Sequence, residues 1–249
     1  MHRPHPFLDW PGPIPFAHRG GASDAAENTM EAFEFAVNLG YRYVETDVHV
    51  TNDGVLVAFH DDDLGRVCDR PGLISTMAWN EVSAAVVEQT SSVPMLEEIL
   101  GTWPDLRVNI DCKSDRAVPG LVSAIRRTGS LERVCIASFS DRRIARLAAL
   151  LGVGTCTALA SRGVAALRVG APVRGAALCA QVPVKHGPVT VVDQRFIERA
   201  HRRGIQVHVW TVDSPDEMAR LLDLGVDGIM TDRPAVLRDV LRQRGAWVD

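Results

Sequence analysis

Two acidic residues stand two positions apart in the run from Tyr43 to Val50, which has the residue pattern of a β-strand. Alternation along a strand places Glu45 and Asp47 on the same face. Two carboxylates packed side by side repel each other, so a pair that points into a protein needs a cation, a shared proton or a basic partner. A hard divalent metal is the simplest of these. The alternative is a wet sheet edge where both carboxylates are merely solvated.

A third carboxylate and a cation follow in the run Val108–Lys113. Period two puts Asp111 and Lys113 on one face and Cys112 on the other. Three carboxylates with water suit Mg²⁺ or Ca²⁺, which prefer oxygen ligands. The alternative is an Asp111–Lys113 pair that only stabilises the end of a strand.

Two histidines and an arginine add the groups that phosphate chemistry uses. His18 and His60 are the candidates for proton transfer, because an imidazole with a pKa of about 6.5 can accept and donate a proton at neutral pH. Arg19 is suited to hold a phosphate oxygen, and Gly20 and Gly21 behind it permit close backbone approach. Either histidine on its own would more often have a structural role than a role in proton transfer. A metal, an arginine, a lysine and two imidazoles together indicate phosphoryl transfer.

One aromatic residue completes the candidate set. Trp210 closes a predicted strand, and its flat apolar face can seat the carbon skeleton of a small polyol. The alternative is simple packing at the end of the strand.

Alternating strands and helices must position these residues. Apolar runs of strand length begin near Ile14, Tyr41, Arg107, Arg133, Gly154, Ala176, Ile205 and Gly228. Helix-like segments between them include Met30–Leu39, Val118–Arg127, Arg142–Leu151, Gln194–Arg203, Asp216–Asp223 and Pro234–Arg244. Eight such units predict an α/β fold, a (β/α)8 TIM barrel rather than an open sheet, because the candidate residues fall at the C-terminal ends of the strands, where barrel enzymes place their chemistry.

The periodicity is poor between residues 61 and 104, where Trp79–Val87 and Met95–Leu100 are the only helix-like pieces. We therefore predict a small insertion at 61–104, after the second strand, within a single domain that spans residues 1–249. A chain of this length with 46% apolar residues is compatible with one undivided barrel.

Composition and net charge limit the kinds of partner that we expect this protein to bind. A net charge of −4 gives no overall attraction to nucleic acid or anionic lipid, so phosphate recognition must be local. The segment Met1–Phe16 lacks the apolar core of a signal peptide, and no run of about eighteen apolar residues follows. Five cysteines form no zinc-type spacing. We expect a cytoplasmic protein without stable membrane insertion; the sequence does not predict its oligomeric state.

The sequence resembles the glycerophosphodiester phosphodiesterase family from about residue 14 to 240. The matching segments are His18-Arg19-Gly20, Glu27-Asn28-Thr29, Glu45-Thr46-Asp47-Val48, Thr51-Asn52-Asp53-Gly54, His60-Asp61, Pro94-Met95-Leu96-Glu97-Glu98, Asp111-Cys112-Lys113, Trp210-Thr211-Val212, Gly225-Val226-Asp227-Gly228 and Thr231-Asp232-Arg233-Pro234. They occur in the order found in the family, and as a set they are specific.

The resemblance implies a TIM barrel with a small insertion that hydrolyses glycerophosphodiesters to sn-glycerol 3-phosphate and an alcohol, with a divalent metal. By position, it implies that the general acid and base are His18 and His60. It implies that the metal ligands are Glu45, Asp47 and Asp111. It implies that the substrate contacts are Arg19 and Lys113 for phosphate and Trp210 for glycerol.

The sequence departs from the family at one ligand, because Asp111 stands where the family usually has Glu and is one methylene shorter. Two other functions remain open. A phosphodiesterase of the same barrel class could act on lysophospholipids or phosphoinositides, although the sequence shows no obvious apolar rim for a membrane-bound substrate. A non-catalytic phosphate-ligand binding protein is the third hypothesis, but it would not need both imidazoles.

Overall fold

The computed structural model describes residues 5–248, so the first four residues of Met1–Phe16 lie outside the described part. Eight parallel strands form its barrel. They are β1 (Ile14–His18), β2 (Tyr43–Val50), β6 (Arg107–Cys112), β7 (Val134–Ala137), β8 (Cys156–Thr157), β9 (Cys179–Pro183), β12 (Gln206–Trp210) and β13 (Gly228–Thr231). Strand pairing follows the order β8-β7-β6-β2-β1-β13-β12-β9. A parallel bridge between Ala158 and Cys179 joins the two ends of this order, so the sheet is nearly closed.

Helices connect the strands and cover the outside of the barrel. Those after the barrel strands are α1 (Met30–Asn38), α4 (Ala117–Arg127), α5 (Asp141–Leu151), α6 (Ser161–Val169), α7 (Gln194–His201), α8 (Pro215–Leu224) and α9 (Pro234–Gln243). The predicted (β/α)8 architecture is confirmed, with α6 as a helix that the sequence analysis does not name. None of the helices in residues 5–248 has the length and hydropathy needed to cross a bilayer.

The segment between β2 and β6 is the small insertion. A short strand β3 (Leu56–Ala58) returns antiparallel to β2. After it come α2 (Trp79–Val82), a two-residue hairpin of β4 (Val86–Val87) and β5 (Ser91–Ser92), and α3 (Leu96–Thr102). The predicted helix over Trp79–Val87 is therefore wrong after Val82, where the helix ends, and Val86 and Val87 pair with β5 instead. The segment has its own small core, which includes Leu64, Ile74 and Val82.

A second short hairpin lies near the mouth of the barrel. It is formed by β10 (Lys185–His186) and β11 (Val189–Thr190), between β9 and α7.

The barrel interior changes from apolar at one end to polar at the other. Inward side chains recur every second residue along a strand. On β2 the inward row therefore passes from buried Tyr43 to Glu45 and Asp47, and on β1 it passes from Phe16 to His18. Phe7, from the segment before β1, packs edge-on against Tyr43 with ring centroids 5.3 Å apart. Aromatic packing thus closes the N-terminal end of the barrel, and polar groups collect at the C-terminal end.

Candidate active site

The loop after β1 curls tightly and places the first two site residues. Arg19, Gly20 and Gly21 all have positive φ angles, of 53°, 86° and 109°. A Cβ atom on Gly20 would lie 2.7 Å from the Cβ of Ala32, and one on Gly21 would lie 2.7 Å from Cγ of Pro234. The glycines are therefore required by close packing inside the protein. This turn leaves the His18 side chain at the mouth of the barrel.

His18 lies between two carboxylates. Its Nδ1 is 2.6 Å from Oδ1 of Asp232, and its Nε2 is 3.6 Å from Oε2 of Glu45. Burial opposes protonation of the ring, but the charge of Glu45 and the hydrogen bond and charge of Asp232 outweigh it, so the pKa of His18 is raised. Asp232 follows β13, which pairs with β1, and this neighbouring position explains the contact.

His60 follows β3 and has an arrangement like that of His18. Its Nδ1 is 2.6 Å from Oδ1 of Asp61. Its backbone carbonyl oxygen is 3.1 Å from Nε2 of His49, which is on β2. The antiparallel pairing of β3 with β2 therefore delivers His60 to the same mouth as the carboxylates.

Two of the three carboxylates, those of Asp47 and Asp111, contact the ammonium group of Lys113. Glu45, Asp47 and Asp111 are buried, with 5%, 2% and 8% of their surface exposed. Nζ of Lys113 lies 2.6 Å from Oδ1 of Asp47 and 2.8 Å from Oδ2 of Asp111. Asp47 and Asp111 are register partners on β2 and β6, which explains why they converge. Within residues 5–248, no three His, Cys, Asp or Glu side chains have the arrangement of a formed metal site.

The donor set nevertheless fits a hard cation. Oδ1 of Asp111 is buried and has no hydrogen-bond partner among the described residues. Burial, together with the charge of Asp47, raises the pKa of Glu45 to about 7. Three buried carboxylates therefore lie together; one oxygen of Asp111 lacks a hydrogen-bond partner, and the pKa of Glu45 is raised. Oxygen ligands of this kind are those that Mg²⁺ and Ca²⁺ prefer.

The environment of Glu45 predicts how the stability of the metal-free protein depends on pH. A carboxyl whose pKa is raised by folding holds its proton longer in the folded state, so stability falls as the pH rises from the ordinary pKa of 4.5 through about 7. Glu45→Gln removes this titration. In chelator, the unfolding temperature of the variant should therefore decline less than that of the wild type over this range, as measured by thermal denaturation at several pH values. An equal decline in both proteins would contradict this environment.

All eight predicted site residues line one cavity of about 520 Å³ at the C-terminal end of the barrel. These are His18, Arg19, Glu45, Asp47, His60, Asp111, Lys113 and Trp210. The structure thus brings together residues from four barrel strands and the end of β3.

Another part of the lining of the same cavity is apolar. It is formed by Phe139, Leu159, Val164, Val182 and Val191, which we call the apolar wall. Phe139 is 65% exposed, and its ring packs edge-on against Trp210 at 6.1 Å. The sequence analysis found no apolar rim, because these residues come from four separate segments and converge only in the fold.

Sequence reasoning also missed polar neighbours of the site. Asp232 and Asp61 belong to the quoted motifs but received no role. Thr29 caps α1, and its side chain accepts from N of Ala32. Asn28 is instead buried, accepts from Oγ1 of Thr46 at 2.7 Å and donates to Oδ2 of Asp47 at 3.4 Å. The backbone of Asn28 has a left-handed φ of 56°, and residue spacing along the sequence does not predict such a conformation.

Comparisons with known proteins identify the family to which this sequence is similar. Residues 18–236 match the model of the glycerophosphoryl diester phosphodiesterase family. The chain is 40% identical to a Mycobacterium tuberculosis protein named "Probable glycerophosphodiester phosphodiesterase 2", over 97% of this chain and 95% of that protein. It is 27% identical to the Homo sapiens protein Lysophospholipase D GDPD1, over 92% of this chain and 86% of that protein.

A solved structure gives the same comparison at the level of the fold. The crystal structure of glycerophosphodiester phosphodiesterase from Agrobacterium tumefaciens superposes with a TM-score of 0.76 at 22% identity, over 90% of this chain and 99% of that one. At this identity the similarity concerns the fold alone.

Proposed function

The chain belongs to the glycerophosphoryl diester phosphodiesterase family and hydrolyses glycerophosphodiesters, and from this premise we propose that His18 and His60 carry out the proton transfers beside a divalent cation. The observation that supports this proposal most is that each histidine has a carboxylate 2.6 Å from its Nδ1. A carboxylate there fixes the tautomer and orientation of the ring, so that Nε2 is the nitrogen left for reacting groups.

The proposed reaction needs one proton removed and one supplied. One imidazole accepts the proton of the attacking hydroxyl, that of water or of glycerol C2, as its oxygen bonds to phosphorus; attack by the glycerol hydroxyl gives a cyclic phosphate that water then opens. The other imidazole donates a proton to the leaving alcohol oxygen as its bond to phosphorus breaks. Lys113 and Arg19 are proposed to bind the non-bridging phosphate oxygens, because charge-assisted hydrogen bonds from these cations suit that charge. Trp210 is proposed to contact the glycerol carbons.

The cation is proposed to be held by Glu45, Asp47 and Asp111. When bound, Mg²⁺ or Ca²⁺ would supply positive charge against the phosphate oxygens. Asp111 is the member with an unpartnered buried oxygen, and this supports its assignment although its side chain is one methylene shorter than the usual family residue. A cytoplasmic location and the single-domain boundaries stay predictions from the sequence.

The test is release of sn-glycerol 3-phosphate, measured with a coupled dehydrogenase assay. Glycerophosphodiesters with several alcohols should be compared, each with Mg²⁺, with Ca²⁺ and with chelator. We expect product only when a divalent cation is present. Full turnover in chelator would remove the cation from the proposal, and absence of product from every glycerophosphodiester would contradict the function.

Lysophospholipids are a second candidate class of substrate, and the apolar wall is the observation that favours them. A glycerol and a small headgroup offer little apolar surface to these side chains, whereas an acyl chain does. The human relative named as a lysophospholipase D is consistent with this class.

Loss of Phe139 should therefore affect lysolipid more than small substrates. Burial of an aromatic side chain against ligand stabilises by about 1.5–3 kcal/mol, which corresponds to roughly ten-fold or more in affinity. We expect Phe139→Ser to raise KM for monomeric lysophosphatidylcholine about ten-fold and KM for glycerophosphocholine very little. Val153→Ser is the control, since Val153 is fully exposed and does not line the cavity. Equal changes for both substrates would contradict an acyl-chain role of the wall.

A further inference from the structure

A chain of ion pairs runs from His60 through the insertion to Arg19. Oδ1 of Asp61 lies 2.6 Å from Nδ1 of His60, and Oδ2 of Asp61 accepts a hydrogen bond from Nε of Arg66. The other end of the Arg66 guanidinium donates to Glu27, with Nη2 2.5 Å from Oε1 and Nη1 3.0 Å from Oε2. Arg66 therefore contacts two carboxylates at once.

Glu27 continues the chain to the other side of the site. Both of its oxygens accept from Nη1 of Arg19, at 3.1 and 3.2 Å. Nε of Arg19 lies 3.3 Å from Oδ2 of Asp47. Acidic and basic side chains alternate from His60 to Asp47, and each of the two guanidinium groups lies between two carboxylates. One end of the series is a proposed proton-transfer group, and the other end is a proposed phosphate-binding group.

The backbone that presents Arg66 is well anchored. Arg66 ends a single 3-10 turn, Leu64–Arg66, which begins at Asp63, whose Oδ1 accepts from N of Gly65 at 2.8 Å. Leu64 is completely buried in the core of the insertion, and its backbone N donates to O of Gly72 at 3.0 Å. A fixed turn limits the positions that the guanidinium can occupy, so less side-chain freedom is lost when it bridges the two carboxylates.

We propose that Arg66 is a positioning residue through which the insertion holds His60, by way of Asp61, and Arg19, by way of Glu27, in one fixed relation. This inference rests on the proposed roles of His60 and Arg19. It also assigns a function to the insertion, because its 3-10 turn Leu64–Arg66 supplies the guanidinium group that bridges the two carboxylates.

The expected consequence is catalytic more than structural. Arg66 has a side chain that is 46% exposed, and exposed ion pairs contribute little to stability. The effect on turnover is larger, because displacement of a reacting group by about 1 Å can cost on the order of 10²-fold in rate. Without Arg66, the carboxylate of Asp61 loses the partner that orients it toward His60. Glu27 then keeps only its hydrogen bonds from Arg19.

The first experiment compares Arg66→Gln with a matched control. Arg70 lies in the same insertion, is 44% exposed, and forms a similar two-bonded pair with Asp69 that is remote from the cavity. We expect Arg66→Gln to lower kcat/KM for glycerophosphocholine roughly ten- to hundred-fold, as loss of an orienting partner commonly does. Arg70→Gln should leave it unchanged, and both variants should unfold at similar temperatures.

Arg66→Lys separates bridging from charge alone. Lysine keeps the positive charge but lacks the planar fork that contacts two carboxylates. We expect it to recover less than half of the lost activity. Full recovery by lysine would show that a positive charge suffices and would overturn the bridging role.

Double variants separate the two arms of the bridge. In an Asp61→Asn background, adding Arg66→Gln should no longer lower kcat, because the path to His60 is already broken. In a Glu27→Gln background, adding Arg66→Gln should no longer raise KM, because the path to Arg19 is already broken. Strictly additive effects in both backgrounds would overturn the proposal.

A spectroscopic measurement gives an outcome that does not depend on turnover. A proton in the short bond between His60 and Asp61 should give a low-field imidazole resonance in the ¹H NMR spectrum, assigned by its loss in His60→Ala. We expect this resonance to shift upfield or broaden in Arg66→Gln and to stay unchanged in Arg70→Gln. An unchanged resonance in Arg66→Gln would contradict orientation through Asp61. If the wild-type protein released no glycerol 3-phosphate, the proposed function would fail instead, and the NMR result would be unaffected.

Discussion

Replacing His18 or His60 with alanine should lower kcat for glycerophosphodiester hydrolysis by roughly 10²- to 10⁴-fold, the usual contribution of a general acid or base. Each ring has Nδ1 within 2.6 Å of a carboxylate, and both side chains line the same cavity. The measurement is steady-state kinetics with glycerophosphocholine, together with circular dichroism to show that the fold is retained. Folded proteins with full turnover in both variants would remove the proposed roles.

The control is a histidine with a similar partner outside the cavity. His201 has Nε2 2.7 Å from Oδ2 of Asp227, and it does not line the site. His201→Ala should leave kcat within about two-fold of the wild type, since changes remote from the reacting groups act only through small stability effects. Asp232→Asn and Asp61→Asn should give intermediate losses, because each removes the charge that orients and stabilises an imidazole without removing the imidazole.

Removal of divalent cations is expected to have the second-largest effect. Charge stabilisation by a metal ion contributes several kcal/mol to phosphoryl transfer, so chelation should lower turnover by about a hundred-fold or more. Addition of Mg²⁺ or Ca²⁺ should restore it. Binding should also raise the unfolding temperature of the chelated protein, because a ligand present at about a hundred times its Kd stabilises by about 2.7 kcal/mol.

Asp47→Asn tests which side chains hold the cation. Asp47 is central to the acidic group, in contact with Lys113 and only 2% exposed, so its neutral analogue should lose both the restored turnover and the rise in unfolding temperature. Asp115→Asn is the control, because Asp115 pairs with Arg142 and Arg143 outside the cavity. A wild-type thermal response to metal in Asp47→Asn would place the cation elsewhere.

The partly buried cation Lys113 offsets part of the negative charge of the acidic group. Its ammonium neutralises Asp47, and together with Arg19 it lowers the pKa of that carboxyl against the opposing effect of burial. Burial and the charge of Asp47 raise the pKa of Glu45 to about 7, because they outweigh the opposing charges of His18, Lys113 and Arg19. The pKa values of the two carboxyls on β2 therefore shift in opposite directions, and the proposed cation would add positive charge beside both.

The sequence by itself determined the eight barrel strands, most of the helices and the direction of the side chains that line the cavity. Strand alternation is local, so Glu45, Asp47 and Asp111 could be placed on inward faces from their spacing alone. The repeated strand and helix units then implied a barrel, and a barrel places the C-terminal ends of all its strands at one mouth. The error at Trp79–Val87 came from a segment without periodicity, where hairpin pairing within the insertion outweighs helix propensity.

Only the tertiary structure decided which groups contact one another. Asp232 is 214 positions from His18 along the chain, and Arg66 is 39 positions from Glu27, so no local pattern links either pair. The apolar wall likewise forms from segments that the barrel closure brings together. Spacing along a chain defines the direction of a side chain within its own element, whereas distances between elements follow from how the sheet pairs, twists and closes. For that reason the side chains that line the cavity could be predicted from the sequence, and their contacts across elements could not.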